Sequence, residues 1–208
     1  MAEFNDIYKY LKSLFGLAKC ELNFNSNFEL LVSVILSAQC TDKRVNEVTS
    51  KLFKIANTPK QFAVMKIEEL EKYIYSCGFY HNKAKAIIEM SNQLLTKFNG
   101  EVPSKLEELQ SLKGVGRKTA NVVYSNAFNG DAIAVDTHVF RVSNRIGIVN
   151  EKDVLKTEKA LMKAVPKDKW SEFHHLLVLF GRYYCKSRNP KCKECLLNEK
   201  CKYYKYKN

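Results

Sequence analysis

The chain has 208 residues, with 34 Lys and Arg against 22 Asp and Glu and a formal net charge of +12. That length supports one large domain or two small lobes with a real core, and the charge favours a polyanionic partner, nucleic acid first. No apolar run approaches the roughly 18 residues of a membrane span, and the alternating charged and apolar residues of Met1 to Leu11 are unlike a signal peptide, so the cytoplasm or nucleoid is the expected location.

Within Met1–Lys19, Phe4, Ile7, Tyr8, Leu11, Leu14 and Phe15 recur at helical spacing and predict an amphipathic helix. Asn23 to Asn27 is a polar break able to supply an N-cap. Phe28 to Ala38 is dense in Leu, Val and Ile without Gly or Pro, which predicts a buried helix rather than a strand. A small polar loop, Ser37-Ala38-Gln39-Cys40-Thr41-Asp42, precedes a helix restarting at Asp42. Thr58-Pro59 opens another helix, threonine as cap and proline in the first turn. Ile67, Leu70, Ile74 and Tyr75 mark the next, Gly78 to Asn82 breaks it, and Lys83 to Phe98 is helical again. Ser104 and Glu107 have the spacing of a capping box. Further helices are expected from Asp136 through Arg145, over Val154–Val165 before Pro166, and over Trp170–Tyr184. Nothing alternates with period two, so the class is mostly α.

Two stretches carry chemistry. The first reads Leu112-Lys113-Gly114-Val115-Gly116-Arg117-Lys118-Thr119-Ala120, followed by an apolar run and Ile133-Ala134-Val135-Asp136-Thr137-His138. Two glycines around Val115 allow positive φ and close approach to another molecule. The helix starting at Arg117 or Lys118 offers unpaired N–H groups suited to a phosphate. A nucleophilic lysine must first lose a proton, and a helix start beside another cation disfavours the ammonium form. Phosphate binding by Lys118 and simple N-capping by Asp136 are the plainer roles.

The second is the tail, Cys185-x6-Cys192-x2-Cys195-x5-Cys201. Four thiolates suit a tetrahedral zinc or a [4Fe–4S] cluster, and their count does not choose between them. Two disulfides are the alternative. Cys20, Cys40 and Cys77 are scattered and read as reduced thiols. A metal here is expected to brace the tail, and the loop with Lys186, Arg188 and Lys191 is then either a basic finger that can meet phosphates or a solvated run of charge.

Together, Leu-x-Gly-Val-Gly-Arg-Lys-Thr-Ala, Val-Asp-Thr-His-Val-x-Arg-Val and the four-cysteine tail resemble the endonuclease III family, base-excision DNA glycosylases with a helix-hairpin-helix and an iron–sulfur cluster. The resemblance runs nearly end to end and includes Leu36-Ser37-Ala38-Gln39 and Asn-Gly-Glu-Val-Pro at 99 to 103. It implies a two-lobed all-α fold: a helical barrel over about 22–131 holding the hairpin at about 104–128, and a cluster lobe from 1–21 with 132–208. It implies a [4Fe–4S] cluster on Cys185, Cys192, Cys195 and Cys201. It also implies a monomer acting on double-stranded DNA that contains damaged pyrimidines or abasic sites.

By the same resemblance the nucleophile is Lys118 and its carboxylate partner Asp136. The hairpin residues Lys113, Gly114, Val115, Gly116 and Arg117 contact DNA, Gln39 fills the gap left by a flipped nucleotide, and Phe79 wedges the opposite strand. Two departures stand out: Lys113 replaces the family's usual proline and Phe79 its usual leucine. His138, His174 and His175 read as core or supporting residues rather than bases. The rival readings are a monofunctional adenine-mismatch glycosylase, against which Lys118 and the end at Asn208 speak, and a non-catalytic DNA-binding module with a structural metal.

Overall fold

A computed structural model describes residues 3–207, which form helices and turns with no strand among them. In chain order the helices are α1 (Phe4–Phe15), α2 (Asn27–Ser37), α3 (Asp42–Leu52), α4 (Pro59–Val64), α5 (Ile67–Ile74), α6 (Tyr80–Lys97), α7 (Leu106–Gln110), α8 (Arg117–Phe128), α9 (Thr137–Ile146), α10 (Val154–Ala164), α11 (Trp170–Tyr183) and α12 (Lys202–Lys207). They fall into two compact units, residues 21–130 and the residues up to Cys20 together with those from Asp131.

The 21–130 unit is built on α2. Every residue from Phe28 to Leu36 is buried, because α3, α6 and α8 all pack against this helix. A run dominated by Leu, Val and Ile suits such a position, and each fully buried one contributes roughly 1.5–3 kcal/mol; Glu29, also buried, accepts from the Asn25 N–H at 2.6 Å. The helix starts are set by local chemistry. Ser26 accepts from Glu29 N–H at 3.1 Å, Thr41 accepts from Arg44 N–H at 3.3 Å, and Thr58 with Gln61 closes a reciprocal capping box. At α7 the expected capping box does not form: the helix begins at Leu106, with Lys105 in the cap position and no side-chain cap bond. The start lies one residue beyond the Ser104 register, and Lys105 instead pairs with Glu108 at 3.2 Å. Helix α6 begins at Tyr80, before the expected Lys83, because the turn is made by Phe79 alone in the left-handed region.

In the other unit α9 packs against α11, with α1 on α11 and with α10 and α12 on α9. Its core includes Ile7, Leu11, Val139, Val142, Phe173 and Leu177. Gly181 sits where α11 passes α9: a Cβ there would lie 2.8 Å from the Cβ of His138, so the close crossing depends on its absence. At the surface the Tyr8 hydroxyl donates to the Glu172 carboxylate, which also pairs with Lys12 at 3.0 Å. Helix α12 has no counterpart among the sequence expectations; its Lys-Tyr-Tyr-Lys-Tyr-Lys run is too short to show a period.

Candidate functional site

The hairpin turn joins α7 to α8 and is held by Leu109, Leu112 and Val115, all buried. Gly114 takes φ 77°, and a Cβ on it would stand 2.8 Å from the Cβ of Ala86 on α6. Both facts demand glycine. Gly116 differs from the expectation of two positive-φ glycines. It is extended, at φ −80° and ψ 175°, and nothing lies within 4 Å of where its Cβ would be. Its lack of a side chain leaves the start of α8 without a side-chain cap, so the first-turn N–H groups face outward with the positive end of the helix dipole.

Lys118 is the second residue of α8 and is exposed; Lys113 and Arg117 are exposed beside it. The turn is tied to α6 twice more. Lys113 N–H donates to Gln93 Oε1 at 2.7 Å, and Lys113 Nζ lies 3.5 Å from Glu89. The lysine that replaces proline thus docks the turn on α6 with its backbone N–H, a bond proline cannot make.

Asp136 belongs to the other unit and caps α9. Its Oδ1 accepts from both His138 and Val139 N–H at 2.8 Å, which leaves Oδ2 outside the cap. Burial holds the pKa of His138 below the usual histidine range, with Arg141 acting in the same direction and Asp136 against it. The neutral ring can then accept at Nδ1 from Arg141, 3.2 Å away. His174 and His175 are buried.

Gln39 and Phe79 sit on adjacent loops of the 21–130 unit. Gln39 is exposed with φ 54°, and Phe79 is 63% exposed with φ 58°. Left-handed backbone costs a non-glycine residue about 1–2 kcal/mol. A Cβ on Gly78 would be 3.4 Å from the Gln39 carbonyl oxygen, which brings the two loops together. Beneath them lies a residue that the sequence expectations left as an ordinary helix position. Lys83 is 6% exposed, and its Nζ donates to the carbonyls of Leu36 at 2.8 Å and Ala38 at 2.6 Å. Burial pushes the Lys83 ammonium down, and the thiols of Cys77 and Cys40 oppose this. Burial and a hydrogen bond with Cys40 push the Cys77 thiol up to about 12. The one sequence signal for Lys83 is its position on the stripe it shares with Ile87, Met90 and Leu94.

Cys185, Cys192, Cys195 and Cys201 are free thiols lining one pocket with Ile146, Phe180, Tyr184 and Leu197. Among the described residues, no three Cys, His, Asp or Glu are arranged to hold a single metal ion. Two arginines of α9 frame the pocket. Arg141 donates to the carbonyls of Gly181 at 2.8 Å and Cys185 at 3.3 Å. Arg145 donates to the carbonyls of Lys186 at 2.7 Å and Ser187 at 3.1 Å and lies 4.2 Å over the ring of Tyr203. The Cys201 thiol donates to the Arg145 carbonyl at 3.1 Å. Burial raises the Cys185 and Cys195 thiols, and Arg145 with Arg141 pulls Cys185 back down. The finger beyond is therefore held by its backbone while Lys186, Arg188 and Lys191 stay exposed; Lys191 Nζ also sits 5.6 Å from the Tyr184 ring centroid.

Residues 32–167 match the model of the HhH-GPD superfamily base excision DNA repair proteins. The chain is 52% identical to endonuclease III of Bacillus subtilis over 190 residues, covering 91% of this chain and 87% of that protein. Its structure is similar to that of a trapped endonuclease III–DNA covalent intermediate, with a TM-score of 0.94 at 48% identity over 100% of this chain and 99% of the other. A non-covalent endonuclease III–DNA complex gives 0.95 at 47% identity with the same coverage.

The two hairpin glycines separate stability from binding. Gly114→Ala meets both a left-handed backbone and a 2.8 Å overlap, and is expected to lower unfolding free energy by about 1–3 kcal/mol. Gly116→Ala has ordinary backbone angles and free space, so its stability stays within about 0.5 kcal/mol while duplex DNA binding weakens. Chemical denaturation and fluorescence anisotropy on the two variants check this.

Proposed function

The chain belongs to the HhH-GPD superfamily of base excision DNA repair proteins, and on that footing we propose that it is a bifunctional DNA glycosylase and abasic-site lyase acting on oxidised pyrimidines in duplex DNA. The observation that carries the reading is Lys118, an exposed amine in the first turn of α8 directly after a turn that leaves that helix without a side-chain cap.

The α8 start and the exposed Lys113 and Arg117 meet phosphates, which position the duplex without reading its sequence. The damaged nucleotide is flipped out, which costs a few kcal/mol and least at a weakened pair. Gln39 occupies the gap and Phe79 wedges the opposite strand. Both residues stand exposed on left-handed backbone, as a probe of stacking requires. Neutral Lys118 Nζ attacks C1′ of the sugar, the C1′–base bond breaks, and the base leaves with a proton. The Asp136 carboxylate stabilises the positive charge that develops on the sugar. Ring opening gives the Schiff base on Lys118. Loss of a proton from C2′ then expels the 3′ phosphate and nicks the strand.

Cys185, Cys192, Cys195 and Cys201 fit a [4Fe–4S] cluster. Their pocket offers four soft donors with no carboxylate or imidazole on its lining, and Arg145 and Arg141 act on Cys185 in the direction that offsets thiolate charge. When bound, the cluster supplies a structural brace and takes no part in the bond changes. Arg145 carries that brace into the finger through the Lys186 and Ser187 carbonyls. Lys186, Arg188 and Lys191 then add phosphate contacts. The protein works in the cytoplasm or nucleoid, as a monomer on DNA.

Lys118→Ala is expected to abolish borohydride trapping and strand nicking while binding abasic-site DNA within roughly tenfold of wild type, since one charge is a small part of the phosphate footprint. Nicking by the purified variant contradicts the nucleophile assignment. Protein purified without air is expected to be brown, with about four irons per chain. A colourless protein loaded with zinc contradicts the cluster.

A further inference from the structure

We propose that Lys83 is the positioning residue that holds the Gln39 loop in its DNA-probing conformation. The proposal rests on the reading of that loop given above. The Lys83 ammonium donates to the carbonyls of Leu36 and Ala38 on the approach to Gln39.

The chemistry of the location explains why an ammonium is needed. Helix α2 ends at Ser37, and the carbonyls of its last turn lack helical partners and carry the negative end of the dipole. Helices commonly leave such an end through a glycine in the left-handed region. Here that conformation falls on Gln39, which cannot adopt it freely. A cation binding the Leu36 and Ala38 carbonyls fixes the Leu36–Ser37 and Ala38–Gln39 peptides on either side of the Ser37–Ala38 peptide, and so fixes the direction in which the Gln39 side chain leaves. Burying an ammonium is costly without good partners, and an apolar side chain on the same α6 stripe would serve packing alone. The groups facing Lys83 are the Cys40 and Cys77 thiols, with Arg44 also acting on Cys77. None is a carboxylate, so the carbonyls are its principal ligands.

The test is a double-mutant cycle with Lys83→Met, Gln39→Ala and the pair, in otherwise full-length protein loaded with its cluster. Two substrates separate flipping from chemistry: a duplex with thymine glycol paired to adenine, and the same duplex with a preformed abasic site. If Lys83 acts through Gln39, each single variant slows single-turnover base excision about tenfold and the double variant is no more than about twofold slower than either. Nicking at the preformed abasic site, where no base pair must be opened, is slowed less than base excision in every variant. Fluorescence of 2-aminopurine beside the lesion, which rises when stacking is lost, should fall in both single variants. Should Lys83→Met fail to fold, Lys83→Gln carries the same cycle. Wild-type excision in the Lys83 variant, losses that multiply in the double variant, an equal loss on both substrates, or a Gln39→Ala variant that behaves as wild type each overturns the inference. Failure of the underlying enzyme reading looks different: the wild-type protein itself would not be trapped by borohydride.

Discussion

The contact between the hairpin turn and α6 is the constraint on which the rest of the 21–130 unit depends. Gly114 comes so close to Ala86 that no side chain fits, and Lys113 beside it is fastened to Gln93 and Glu89. Every partner in that contact lies on α6. The same helix carries Lys83 at its other end, under the loops of Gln39 and Phe79. One element thus orders the start of α8, where Lys118 stands, and the loops proposed to test base stacking. Catalysis by this chemistry is chiefly positioning of an amine against a sugar carbon, and a single scaffold helix is an economical way to provide it.

The second unit applies the same logic with arginine. Arg141 and Arg145 lie on α9, the helix that Asp136 caps. Their guanidinium groups run to the carbonyls of Gly181, Cys185, Lys186 and Ser187. Planar forks with fixed geometry suit this bracing better than a flexible ammonium. The carboxylate proposed to face the sugar and the backbone of the basic finger are therefore fastened to one helix.

Much of the architecture was legible from local rules. The period of α1, the Leu-, Val- and Ile-rich run of α2, the Thr58-Pro59 start and the Asp136 cap each follow from neighbours in sequence, and the structure places helices there. Ser104 was misread because a capping box is defined by spacing, whereas the helix start was set one residue later. Gly116 was misread because two glycines in one turn look alike until the surroundings separate them: one is pressed against α6, the other faces open space. Lys83 was missed for a deeper reason. Its partners are carbonyls 47 and 45 residues away, and carbonyls leave no mark on composition. The motifs located the hairpin and the four cysteines; the distant contacts that hold the surrounding loops needed the fold.

The central claim is that one amine, the side chain of Lys118, becomes bonded to the sugar. Reductive trapping of the wild-type protein on duplex DNA containing an oxidised pyrimidine, followed by nuclease and protease digestion and mass spectrometry, locates that bond. The account predicts a single adduct on the peptide spanning the start of α8, with the sugar remnant on Lys118 Nζ. An adduct on Lys113, on another lysine or on the N-terminal amine contradicts it, as does release of the base with no adduct at all.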